Sequence, residues 1–130
     1  MKMQVEMILY VANQARSRAF YAFLLQIEPC LDVPGMTEFM ITENLKLGLM
    51  PENGIANILQ PHTPHPASGN GIPRCELYLL LENIEPYIER MYSLNTKQIS
   101  PLETRDWGHD VAYFSDPDGH IIALARTIGN

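Results

Sequence analysis

The sequence is poor in several residue types, and each shortage excludes something. It holds two cysteines, Cys30 and Cys75, in dissimilar contexts and with no C-x-x-C spacing. That argues against a disulfide scaffold, and a reduced, cytoplasmic protein is expected. Cations are scarce: nine Lys and Arg stand against fifteen Asp and Glu, a formal net charge of -6. A nucleic-acid binder carries a basic face, and nine scattered cations do not suggest one. No apolar run approaches the roughly 18 residues of a membrane span. The first eleven residues hold one Lys and a Glu inside an apolar stretch, which suits a first strand better than a signal peptide. Neither a nucleic-acid nor a membrane partner is expected. Charged residues are 18% and apolar ones 46% of the 130, so the chain folds as one domain rather than staying disordered.

Proline, by contrast, is abundant, and it is unevenly spread. Five of the ten prolines and three glycines fall in Pro51–Pro73, where no periodicity is visible. This reads as a long loop with at most a short turn at Ile55–Leu59. On either side the pattern is regular. Gln4 to Val11 reads as a strand, Asn13 as an N-cap, and Gln14 to Ile27 as a helix. The stripe of that helix is Phe20, Phe23, Leu24 and Ile27, and Pro29 stops it. Leu31–Val33, Thr37–Thr42 and Leu45–Met50 follow as strands. A second unit begins at Cys75. Leu77, Leu79 and Leu81 alternate with other residues. Asn83 then caps a helix with the stripe Ile84, Tyr87, Ile88, Met91 and Leu94. Strands are expected at Lys97–Leu102, His109–Ser115 and His120–Arg126, the last two joined by the turn Asp116-Pro117-Asp118-Gly119.

Both halves thus run strand, helix, strand, strand, strand. A shift of seventy residues sets Glu6 on Glu76, Leu9 on Leu79, Asn13 on Asn83 and Leu24 on Leu94. A shift of seventy-five sets the turn at Asn44 on the turn at Gly119. Strand side chains alternate between faces. Met7, Leu9 and Val11, then Leu45, Leu47 and Leu49, then Leu77, Leu79 and Leu81 form apolar faces for the helices. The opposite sets are mixed: Glu6, Ile8, Tyr10; Lys46, Gly48, Met50; Glu76, Tyr78, Leu80; Ile121, Ala123, Ala125. A sheet with helices on one side and such a set on the other curves around a ligand, water or a partner.

Two motifs resemble those of the vicinal oxygen chelate superfamily. Asn13-x-x-x-Ser17-x-x-Phe20-Tyr21 follows the first strand. Trp107-Gly108-His109-Asp110-x-x-Tyr113-Phe114-x-Asp116-Pro117-Asp118-Gly119-His120 is similar to the C-terminal hairpin signature. The superfamily contains glyoxalase I, extradiol dioxygenases, and fosfomycin- and bleomycin-resistance proteins. The resemblance implies an α+β fold of two βαβββ modules whose strands form a half-barrel cleft, helices outside. The single domain then comprises module one at 1–50, the proline-rich loop at 51–74 and module two at 75–130. It also implies a homodimer, with the proline-rich loop as a candidate arm.

Metal-dependent members hold their ligand on the first and last strands of each module. The corresponding positions here are Glu6, Gly48, Glu76 and Ala123. Gly48 and Ala123 have no donor, and two carboxylates are a poor transition-metal set. No metal or other cofactor is expected, and the last-strand glutamate that serves glyoxalase-like isomerases as base is missing. The expected function is metal-free binding of a small cationic or aromatic molecule in an acidic cleft. Its candidate lining is Glu6, Tyr10, Glu76, Tyr78, Trp107, His109 and Tyr113. The alternative is a divalent-metal lyase, isomerase or dioxygenase that recruits an unusual third ligand such as His109. The remaining candidates read as scaffold. Ser17 is an exposed helix residue outside any Gly-x-Ser-x-Gly context, and Cys75 lacks a histidine partner. His62 and His65 are loop surface, and His120 is an exposed strand start. Asp116 and Asp118 are turn formers, and Phe114 is core.

Overall fold

A computed structural model of the chain describes residues 3–129. The fold divides into two compact units, one ending at Asn70 and the other starting at Gly71. In the first, β1 (Val5–Val11) leads into α1 (Gln14–Leu25), then β2 (Leu31–Val33), β3 (Met36–Thr42) and β4 (Leu45–Pro51). In the second, β5 (Glu76–Leu80) leads into α3 (Glu85–Ser93), β6 (Gln98–Thr104), β7 (His109–Ser115) and β8 (Ile121–Thr127). The strand orders are β1-β4-β3-β2 and β5-β8-β7-β6. In each sheet the first and last strands of the unit are parallel and the other pairs antiparallel. The α+β class and the two βαβββ modules expected from the sequence are therefore what the chain forms.

The repeat is matched at the level of register. Ile8 faces Gly48 across β1 and β4, and Tyr78 faces Ala123 across β5 and β8. Glu38 faces Gly48, and Tyr113 faces Ala123. Gly48 and Ala123 thus occupy equivalent places, and Glu38 is the counterpart of Tyr113.

In the first unit α1 packs on β3 and β4. Its buried residues are Ser17, Phe20, Tyr21 and Leu24, and they belong to a core with Leu9, Val11, Phe39, Leu47 and Leu49. Asn13 caps the helix, its side chain accepting from the Arg16 amide at 2.9 Å. In the second unit Phe114, Ile122, Leu124, Ile84 and Met91 are buried, and Tyr92 of α3 meets Phe114 edge-on. The Asp116 carboxylate closes the last turn by accepting from the Asp118 and His120 amides, both at 2.9 Å. His120 itself is half-buried rather than exposed.

Several local expectations are corrected. Pro51–Pro73 is not a structureless loop: α2 (Glu52–Leu59) follows β4 directly, and a 3-10 turn spans Pro66–Gly69. Pro51 stands at the N-cap position, Glu52 lies in the first turn, and Ile55 and Ala56 are buried. An amphipathic segment of eight residues was hidden by the prolines around it. α1 stops before Pro29 because Gln26 takes the left-handed conformation (φ 55°). Its stripe runs through Ser17, so Ser17 is wholly buried, while Phe23 is 41% exposed. Asn83 does not cap α3: Ile84 occupies the cap position without a side-chain bond, and Glu85 and Pro86 begin the helix. Met7 is 52% exposed. It lies on an edge strand, with a sheet neighbour on one side only. Cys30 and Cys75 are both free and exposed. Among the described residues no helix is long and apolar enough to cross a membrane.

Candidate functional site

In the second unit, strand alternation puts Tyr78, Ala123 and Tyr113 in one row across β5, β8 and β7, with Ala125 and Val111 in the next. Ala123, Ala125 and Val111 are fully buried, and Tyr78 and Tyr113 pack against them. Small side chains in the floor let two tyrosine rings lie on the sheet. The β6–β7 turn brings further groups to the same place. Gly108 adopts a positive φ of 91°, which favours glycine. The turn is held by Arg105 and His109 backbone groups at 2.8 Å.

The Trp107 indole N–H then donates to the Tyr78 hydroxyl oxygen at 2.8 Å, and that hydroxyl lies 2.6 Å from His109 Nδ1. Arg105 stands over the Tyr113 ring at 5.2 Å. Its guanidinium also donates to Ser100 Oγ at 2.9 Å and to the carbonyls of Pro101 and Val111 at 3.0 and 2.9 Å. Burial pushes the Tyr113 hydroxyl above its ordinary value of 10.0, helped by the charge of Glu76 and opposed by Arg105. Of the residues predicted from sequence, the fold therefore gathers Tyr78, Trp107, His109 and Tyr113 in one cluster, with the exposed Glu76 felt electrostatically.

Glu6 and Tyr10 lie in the first unit, on β1. Glu6 faces Lys46 across the β1–β4 pair. Its Oε2 occupies the space beside Gly48 where a Cβ would otherwise stand, so an added methyl group there would collide with it. That oxygen is buried and has no hydrogen-bond partner. The Glu6 carboxyl is pushed above its ordinary 4.5, first by burial, then by the hydrogen bonding and negative charge of Glu38, with Lys46 opposing. Lys46 is also 3.5 Å from Glu38.

Three residues of these clusters escaped sequence reading: Glu38, Lys46 and Arg105. Glu38 carried a usable signal, because the seventy-five-residue shift that equates Gly48 with Ala123 sets it on Tyr113. Lys46 lay in the mixed face but not among the site residues. Arg105 sits in a turn without periodicity and carried no signal.

The residues present do not fit the divalent centre of metal-dependent relatives. Glu6 fills the space over Gly48, and Ala123 is buried under tyrosines. Neither Gly nor Ala supplies a donor. Among the described residues no three His, Cys, Asp or Glu side chains lie close enough to hold an ion together.

A comparison with curated proteins found no match. Solved structures are similar in fold. A glyoxalase-related enzyme from Fulvimarina pelagi is 17% identical with a TM-score of 0.81, over 98% of this chain and 89% of that one. A protein from Agrobacterium tumefaciens is 26% identical with a TM-score of 0.75, over 99% and 100%. A glyoxalase/bleomycin resistance protein/dioxygenase from Nocardioides is 18% identical with a TM-score of 0.75, over 100% and 89%. The family model of the glyoxalase-like domain matches residues 4–129. With its two βαβββ units in matching register, the chain belongs to the glyoxalase-like family of the vicinal oxygen chelate superfamily.

Proposed function

We propose that the chain binds a small aromatic or cationic molecule without a metal, on the tyrosine-bearing face of the second unit. The observation that carries this reading is the cluster itself: Tyr78, Tyr113 and Trp107 gathered above a floor of small residues. Aromatic faces attract cations and other rings, and the exposed Glu76 beside them favours positive charge. The absence of a donor at Gly48 and Ala123 supports binding over metal-assisted isomerisation.

The test uses benzylammonium as probe. Trp107 is the one tryptophan of the chain and is 56% exposed, so its fluorescence reports binding directly. Saturable quenching and a matching calorimetric heat are expected, with affinity about tenfold weaker in Trp107→Ala. No heat and no quenching at millimolar probe would sink the cationic form of the proposal. Metal analysis of protein purified without chelators complements it: stoichiometric Ni, Zn, Mn or Fe would favour the enzyme alternative.

The reading includes a homodimer. Large apolar side chains such as Met7, Met40 and Val33 are exposed on the first sheet and offer apolar area that a second copy could cover. Sedimentation equilibrium checks this, and a monomer at micromolar concentration would refute it.

A further inference from the structure

Three side chains in the second unit form a hydrogen-bonded chain whose first step is fixed by what each group can donate. An indole N–H donates and never accepts. The Tyr78 oxygen therefore accepts from Trp107, at 2.8 Å. This leaves the phenol hydrogen to place. The acceptor that the fold supplies is His109 Nδ1, 2.6 Å away, and the hydroxyl has no other partner among the described residues. The reverse arrangement, with His109 donating to the phenol, would leave the phenol hydrogen without an acceptor from the protein. The arrangement that gives every hydrogen an acceptor within the protein therefore has Tyr78 donating to Nδ1, with neutral His109 carrying its proton on Nε2. Nε2 makes no hydrogen bond to any described residue. His109 is half-buried at the edge of the tyrosine cluster.

We infer that Trp107 and Tyr78 are positioning residues that fix the tautomer of His109, so that its Nε2–H is offered as a hydrogen-bond donor to an acceptor atom of the bound molecule. This rests on the proposed binding face and narrows its ligand class. The molecule is an aromatic compound bearing a carbonyl or other acceptor, held by ring contact with the aromatic cluster and oriented by His109. An aromatic ring alone would use the stacking surface but leave the donor idle.

The tautomer is read by long-range 1H–15N correlation of the imidazoles at about pH 8.5, where an ordinary histidine is neutral. The chain has four histidines, and loss of one set of signals in His109→Gln assigns the relevant one. A protonated Nε2 and an unprotonated Nδ1 are expected. Tyr78→Phe should shift the Nδ1 signal and the single indole N–H signal together. A protonated Nδ1 in the native protein overturns the inference, and so does an Nδ1 signal that stays put in a folded Tyr78→Phe variant. If that variant does not fold, Trp107→Phe replaces it, with a smaller Nδ1 shift expected and its absence counting against the relay.

The ligand half is read with benzamide. Saturating benzamide should move the Nε2 signal. Its affinity should fall several-fold in His109→Ala and be restored in His109→Gln, which keeps an N–H donor in a similar place. Equal benzamide affinity in the native and His109→Ala proteins overturns the donor role while benzylammonium binding leaves the proposed function standing. Failure of both probes to bind the native protein sinks the proposed function and this ligand class with it, and the imidazole spectrum still decides the tautomer separately.

Discussion

Glu6 is a residue whose surroundings change its chemistry. Its carboxyl is held above the ordinary 4.5, chiefly by burial and then by the hydrogen bonding and negative charge of Glu38. Below its ordinary value it is protonated in both folded and unfolded chains, and contributes no difference. Above that, the unfolded chain releases the proton first, so stability falls as pH rises through the folded value. Glu6→Gln should therefore melt higher than the native protein at neutral pH, with the gap closing near pH 4. Melting temperatures across that range check this, and a gap that widens on acidification would contradict it. Gly48→Ala acts on the same group. The new methyl would displace the Glu6 carboxylate, the mobile end of a side chain, toward water. An NMR titration should then find the Glu6 value returned toward the ordinary one, at small cost in stability. Sequence alternation placed Glu6 and Gly48 on one face. It gave no sign that one fills the space of the other, because that depends on a side-chain conformation across two strands.

At the scale of elements, the two asparagines that the repeat equates behave differently. Asn13 accepts from the Arg16 amide, whereas Asn83 is exposed and does not cap α3. Asn13→Ala should cost about 1 kcal/mol in urea unfolding, and Asn83→Ala a few tenths at most. Equal losses would contradict the assignment of caps. Strand positions were legible from alternation and turn residues, and β7 was placed at His109–Ser115 in both sequence and structure. α2 was not, because it lies among prolines that mark loops, and its burial of Ile55 and Ala56 is a tertiary contact. The end of α1 was missed for a related reason: Gln26 adopts a left-handed conformation that composition does not announce for glutamine.

For the whole molecule, the net charge of -6 is a property of the long-range field rather than of any one contact. A cationic probe should feel it and a neutral one should not. Raising salt from about 0.01 to 0.5 M shortens the Debye length from roughly 30 Å to a few ångströms. The affinity of benzylammonium should fall several-fold over that range while that of benzyl alcohol stays level. Parallel salt dependence of the two, measured by calorimetry, would show that the acidity plays no part in recognition.

The sequence by itself determined the α+β class and the duplicated βαβββ order, which follow from local periodicity and turn residues. That Gly48 and Ala123 stand where metal-dependent relatives hold ligands is what the family resemblance implies. Only the tertiary structure decided that Glu38 and Lys46 surround Glu6, that Arg105 covers Tyr113, and that Trp107, Tyr78 and His109 join in one hydrogen-bonded chain. Those contacts join residues on different strands and turns. Their existence depends on register, on a left-handed glycine at 108 and on the volume left by small neighbours, none of which a linear pattern contains.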